Sequence, residues 1–338
     1  MPVAVASSAL SQYGSWHGWA PARGPVVFVS TALLWGWSAA SAASLPASPL
    51  KSANQPGYAR IAVFGSDDRK PLPPEMQQLS DKIGTLSIAK AGAICSAFCV
   101  GPDVIATASH CLFGTAASAK PDQTRIRFTV GHGDDAEVSA LTSAAPSSTE
   151  PQILSGTQNL AVTPPIAAAN DWAIARLERP VCRAGGLALS QKSRTDVEAI
   201  ANAGGVYEVA MHRDLPTIAL MLGRPCALPR QFPAAGIETI ARDFLSPEAV
   251  IFHTCDTGGG SSGSPLLIDG TSGPEVIGIN VGTYVLSRMV PRGSGQPETE
   301  KSEAIANTAV ETARFAPAVR ELSLRGGPVV RHNARLRR

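Results

Sequence analysis

The sequence predicts a mainly β fold assembled from short antiparallel strands, and three observations carry that expectation. First, apolar or alternating runs recur at 60–64, 84–88, 104–108, 124–130, 172–177, 218–222, 250–253, 265–268 and 276–281, bounded by Gly, Pro or Asp. Runs of this kind read as strands rather than amphipathic helices. Second, 31 Gly and 27 Pro stand among abundant Ala, Ser and Thr, a mixture that suits turns between strands. Third, only 17% of the 338 residues are charged, which leaves little material for long solvent-facing helices. That length can bury one large core or two smaller lobes. A net charge of +2 supplies no long-range attraction to nucleic acid or to a membrane surface.

Taken in order, the chain begins with an apolar run at 25–37 that follows Arg23 and precedes the small residues Ala40-Ser41-Ala42. The run is too short to span a bilayer comfortably. Its flanks are those of a secretory signal, which we assign to 1–43. Residues 44–57, rich in Pro, Ser and Ala, read as a mobile leader. Residues 134–168, dominated by Ala, Ser, Thr and Pro, read as an exposed, loop-like insertion. At 313–323 the spacing predicts a short terminal helix with Phe315, Val319 and Leu322 on its buried face. Proline is best tolerated in a first helical turn, so this helix is expected to begin close to Pro317. Residues 323–338, with four arginines from 331 onward, read as a basic, disordered tail.

Cysteines stand at 95, 99, 111, 182, 226 and 255. An even number in an exported chain implies disulfides, with fifteen pairings open in principle. No tight Cys-x-x-Cys pair is present, which argues against zinc.

Chemistry concentrates in three stretches. Residues 254–267 read Thr-Cys-Asp-Thr-Gly-Gly-Gly-Ser-Ser-Gly-Ser-Pro-Leu-Leu. Consecutive glycines let a backbone turn tightly and bring its NH groups close to a bound group. A serine at that rim, beside NH donors, is what acyl transfer needs. A flexible Gly/Ser linker has the same composition, so the rest of the chain must decide. Residues 95–111 end in Thr107-Ala108-Ser109-His110-Cys111, where an apolar strand delivers an imidazole among small neighbours. In Asn170-Asp171-Trp172-Ala173-Ile174 a carboxylate sits at the mouth of an apolar strand, and its burial would demand a partner. An ordinary Asn-Asp turn would read the same way.

Together these stretches resemble the chymotrypsin-like, or trypsin-like, serine peptidases, which carry Thr-Ala-Ala-His-Cys, Asp-Ile-Ala-Leu and Gly-Asp-Ser-Gly-Gly-Pro. The order His, Asp, Ser is that of chymotrypsin. Ile61-Ala62-Val63-Phe64-Gly65-Ser66-Asp67-Asp68-Arg69, Gly260-Ser261-Ser262-Gly263-Ser264-Pro265 and Val276-Ile277-Gly278-Ile279 resemble motifs of the bacterial V8-type glutamyl endopeptidase group. The resemblance spans roughly 58–322 and implies an all-β fold of two antiparallel six-stranded β-barrels with a short C-terminal helix. The first barrel would take about 58–180, with His110 and Asp171, and the second about 200–310, with Ser262. The implied catalytic residues are His110, Asp171 and Ser262, with the NH groups of Gly260 and Ser262 as oxyanion hole. It also implies a disulfide between Cys95 and Cys111, bracing the histidine. Cys226 and Cys255 flank the segment entering the serine loop and are expected to pair, which leaves Cys99 for Cys182.

Departures from the family patterns bear on activation and specificity. Ser261 stands where trypsins have the aspartate that pairs with a freed amino terminus, so that activation route is not expected. Asn280 replaces the histidine by which glutamyl endopeptidases recognise a carboxylate. Asp256, six residues before Ser262, matches the trypsin pocket carboxylate and permits a preference for Arg or Lys, although it can instead cap its loop. With Thr257, Asn280 and Gly282 it forms the expected pocket. His212 and His253 lack clustered ligands and are read as structural, so no metal and no cofactor is expected. The expected partner is a polypeptide substrate, handled by a secreted or periplasmic monomer without stable membrane association. Two alternatives remain: a catalytically silent binding protein on the same fold, and an esterase in which Gly259-Gly260-Ser261-Ser262-Gly263 is a nucleophile elbow with Ser261 as nucleophile.

Overall fold

Most of the apolar runs form strands, and the pairing of those strands positions the site. The computed structural model describes residues 54–59, 62–88, 92–142, 152–216, 219–233, 235–290 and 299–325. The expected signal segment 1–43, most of the leader, Arg60, Ile61 and the tail beyond 325 lie outside the described residues. Two short strands, β1 (Asn54–Ala59) and β2 (Lys70–Pro71), precede the first full sheet. That sheet comprises β3 (Ile83–Ile88), β4 (Gly92–Cys99), β5 (Val104–Thr107), β6 (Ile126–Val130), β7 (Glu137–Ala140), β8 (Ile153–Ser155) and β9 (Ala173–Arg176). Its order is β7-β6-β3-β4-β5-β9-β8, antiparallel throughout.

An antiparallel bridge between Leu141 and Leu177 brings the end of β7 against the end of β9 and closes this sheet on itself. The NH groups of Thr142 and Glu178 seal the seam, donating to Arg176 O at 2.8 Å and Ala140 O at 3.0 Å. Closure leaves no long open edge and buries Leu86, Phe98, Ile105, Phe128 and Ile174 completely.

The second sheet uses β10 (Ala188–Leu189), β11 (Val206–Met211), β12 (Leu220–Gly223), β13 (Val250–His253), β14 (Pro265–Gly270), β15 (Gly273–Val290) and β16 (Thr299–Glu311), together with β1 and β2. Its main path is β13-β16-β15-β14-β11-β12-β2, and β1 and β10 add to β15. The Cys226–Cys255 disulfide and a 3.0 Å bond from Thr254 N to Ala227 O tie the exit of β12 to the exit of β13. The fold is thus the expected pair of curled sheets, antiparallel except where β10 runs parallel to β15, with seven and nine strands where six each were expected. The surplus comes from short flanking strands. β1 and β2 also join the second sheet although their position in the chain precedes the first.

Several local expectations are corrected. Within 60–64, Ala62 makes only an isolated bridge to Thr257, because its neighbours are drawn into a turn held by Asp256. The 134–168 region contributes β7 and β8 to the first barrel wall, and the leader's residues from Asn54 onward form β1. The terminal helix begins well before Pro317, at Thr312 (Thr312–Leu324), and extends to Leu324, which the sequence assigned to the tail. A proline inside a helix removes one backbone bond, at a cost of about 3 kcal/mol. Burial of Phe315, Val319 and Leu322 offsets it, and Arg176 of β9 donates to the Leu322 carbonyl. Among the described residues no helix is long and apolar enough to cross a membrane.

Candidate active site

β5 and β9 are direct neighbours, with Thr107 opposite Ala173, so the residues that leave one strand meet those that enter the other. The chain turns at Ala108 into a single helical turn, Ser109–Phe113, which places His110 over Asp171. Asp171 is fully buried and accepts three hydrogen bonds, from His110 N at 2.9 Å, Ser109 Oγ at 3.0 Å and His110 Nδ1 at 2.7 Å. Since the carboxylate accepts, Nδ1 carries the proton and Nε2 keeps its lone pair. Cys95 and Cys111 form a disulfide beside the ring, with Cys111 Sγ 3.9 Å from His110 Nε2. Both sulfurs are committed to that bond, so this cluster offers no thiolate to a metal. The other bridges join Cys99 to Cys182 and Cys226 to Cys255.

The loop that precedes β14 comes from the second barrel, and Ser96 of β4 fastens it to the first. Ser96 N donates to Ser262 O at 2.9 Å, while its Oγ donates to Gly260 O at 3.0 Å and accepts from Met211 N at 3.0 Å. Gly263, at φ +88°, fits only because it lacks a side chain: a Cβ would lie 2.2 Å from both Ser96 O and Thr107 Oγ1. Ser262 is therefore pressed against the backbone that leads to His110. Among the described residues no hydrogen bond joins Ser262 Oγ to His110 Nε2; such bonds are often long in unliganded sites. Within the loop, Ser261 N donates to Gly258 O, Gly263 N to Asn280 O and Ser264 N to Ser261 O. Among the described residues the NH groups of Gly260 and Ser262 have no acceptor.

Ser261 is turned inward. Its Oγ donates to Gly258 O at 2.9 Å and accepts from Asn280 Nδ2 at 3.2 Å. A hydroxyl so occupied, on antiparallel sheets without the strand–helix alternation of an α/β-hydrolase, does not serve as a nucleophile elbow.

The four residues expected to line the pocket are engaged within the protein. Asp256 Oδ1 accepts from Phe64 N at 2.7 Å and Oδ2 from Asp68 N at 3.0 Å. It caps a turn nearly two hundred residues away, a partner that local sequence does not reveal. Thr257 bridges to Ala62, and Asn280, fully buried, braces Ser261. Gly282 accepts from Thr308 Oγ1 at 2.9 Å through its carbonyl. Each of the four contributes to the framework behind the loop.

Sequence reasoning passed over the residues that hold this framework. Arg69 is clamped between Asp67, at 2.7 Å, and Asp214, at 2.8 Å, directly beneath Gly258. The hydrogen bonds of Arg69 hold the Asp67 carboxyl down at about 2. Burial and the facing Asp256 carboxyl push Asp68 up to about 6. Burial likewise pushes the Glu208 carboxyl of β11 up to about 8 and lowers His212 and His253 to about 4. Only the resemblance of Asp67-Asp68-Arg69 to a known turn marked this region, and nothing marked Ser96 or Glu208.

Comparison with known proteins gives a consistent picture. A family model described as a trypsin-like peptidase domain matches residues 95–279. Among solved structures, a Glu endopeptidase in complex with MPD is similar to this chain with a TM-score of 0.50 and 14% sequence identity. The match covers 78% of this chain and 100% of that chain, and at this identity it speaks for the fold alone. No curated protein sequence matches.

Proposed function

Because the chain belongs to the trypsin-like peptidase family, we propose that it is an exported serine endopeptidase acting through Ser262, His110 and Asp171. The observation that carries this reading is the buried Asp171 carboxylate, 2.7 Å from His110 Nδ1, which fixes the imidazole with Nε2 free to act as base. Ser262 Oγ attacks the scissile carbonyl while His110 Nε2 takes its proton. The proton then passes to the leaving amine, and water, activated by the same imidazole, hydrolyses the acyl-enzyme. Asp171 holds the ring in the useful tautomer and stabilises the imidazolium. The NH groups of Gly260 and Ser262 meet the oxyanion, each worth about 3 to 4 kcal/mol in serine peptidases where one has been removed.

Three disulfides support an oxidising compartment and hence export. The substrate class is polypeptide. Neither Arg/Lys nor Glu preference is proposed from Asp256 or Asn280, because both side chains are engaged inside the framework. A fluorophosphonate probe tests the reading: wild type labels, Ser262→Ala does not, and Ser261→Ala still does. Wild type that fails to label and to cleave peptides would make the chain a silent member of the family.

A further inference from the structure

Glu208 lies in β11 between Gly223 of β12 and Leu266 of β14, so its backbone is fixed inside the second sheet. Its side chain is buried at the base of the nucleophile loop, and Oε1 accepts from Ser264 Oγ at 2.5 Å. The Asn280 amide lies against the same carboxyl. Among the described residues Glu208 Oε2, Asn280 Oδ1 and His253 Nε2 are buried without a hydrogen-bond partner. Glu208 and Asn280 grip the loop from either side. Asn280 Nδ2 donates to Ser261 Oγ, Asn280 O accepts from Gly263 N at 2.7 Å, and Ser264 O accepts from Asn280 N at 2.9 Å. One carboxyl therefore touches both residues that set the backbone from 261 to 264. A buried acid is costly where an apolar side chain would pack, and the chemistry of His110 and Asp171 does not use it.

We propose that Glu208 is a positioning residue for acyl transfer: through Ser264 and Asn280 it sets the orientation of the Gly260 and Ser262 NH groups. The inference rests on the reading of Ser262 as nucleophile. Oε1 of the buried acid accepts from Ser264, the Asn280 amide faces the same carboxyl, and the Asn280 carbonyl faces the His253 ring of β13. Burial dominates in keeping the acid protonated up to about pH 8, the Asp256 charge adding to it and the Ser264 bond, Arg69 charge and Asn280 amide opposing it. Once ionised, the carboxyl becomes a buried charge at the base of the loop, and the arrangement that Ser264 and Asn280 hold around the neutral acid is lost.

The test measures kcat and KM for wild type, Glu208→Gln and Glu208→Ala between about pH 6 and 10, with fluorophosphonate titration of competent sites. In wild type kcat falls above about pH 8 while KM changes little. Glutamine does not ionise and keeps an acceptor for Ser264, so Glu208→Gln lacks this alkaline limb. Glu208→Ala lowers kcat roughly tenfold, the effect of leaving buried partners unpaired, and Glu208→Gln restores most of that loss. An unchanged alkaline limb in Glu208→Gln, or wild-type kcat in Glu208→Ala, overturns the proposal. Should Glu208→Ala fail to fold, the Glu208→Gln pH profile decides alone. Wild type that neither labels nor cleaves overturns the peptidase reading and this inference together, whereas labelling with a retained limb in Glu208→Gln overturns this inference only.

Discussion

Asp171 in the first barrel and Glu208 in the second are both carboxyls withdrawn from water, yet their surroundings differ. Asp171 receives three donors from two consecutive residues, Ser109 and His110, so one turn of chain satisfies both of its oxygens. Glu208 receives one good donor from Ser264, and its second oxygen faces an amide held by another strand. A buried carboxylate is tolerated when its donors arrive together; one with an unpaired oxygen is driven toward the neutral acid. The first barrel thus surrounds its carboxyl with donors beside His110. The second holds an acid, pushed up to about 8, under the loop of Ser262.

The comparison can be broken most severely at Asp171. Asp171→Asn preserves size but replaces an acceptor by an amide that no longer selects the Nδ1–H tautomer. A fall in kcat of about 10⁴-fold is expected, by analogy with the corresponding change in a serine peptidase triad. Retention of activity within about tenfold of wild type would remove Asp171 from the mechanism.

Titration of stability sharpens the contrast next. The Glu208 pKa in the folded protein, about 8, lies above its ordinary 4.5, so the unfolded chain binds fewer protons between those values. Stability from this group is full below about pH 4.5 and lost as pH rises to about 8. His253 and His212 act in the opposite sense: lowered from 6.5 to about 4, they contribute stability above pH 6.5 that is lost as pH falls through about 4. Thermal melting should therefore show declining stability from pH 6.5 to 8 in wild type and a flat response there in Glu208→Gln. A slope that survives in Glu208→Gln would assign it to another group.

The smallest expected effect lies at the clamp under the loop. In Gly258→Ala the new Cβ would stand 1.8 Å from Asp214 Oδ1 and 2.6 Å from Arg69 Nη1, so the ion pair must move. A loss of about 1 to 3 kcal/mol is expected from denaturant midpoints, the usual cost of overpacking. The same substitution in an Asp214→Ala background should cost less, because the clashing carboxylate is gone. Equal costs in both backgrounds would show that the strain lies elsewhere.

How much of this was legible in the sequence depends on how local each cause is. Strands at 84–88, 104–108, 250–253 and 265–268 declared themselves through short apolar runs. β16 did not, because much of it is polar and its long pairing with β15 supplies what composition lacks. Pro317 misplaced the start of the terminal helix because a propensity rule yields to burial of Phe315 and Leu322.

By itself the sequence determined the mainly β class, the three stretches around His110, Asp171 and Ser262, and the set of half-cystines. Each follows from neighbouring residues: the alternation of a strand, the glycines of a tight turn, a cysteine beside a histidine. Tertiary structure alone decided that Asp256 caps the Phe64–Asp68 turn, that Asn280 braces Ser261, and that Ser96 and Glu208 hold the loop at 260–264. The physical reason is separation along the chain. A buried polar group must find its partner wherever folding brings one, here 192 residues away for Asp256 and Phe64, 164 for Ser96 and Gly260 and 56 for Glu208 and Ser264.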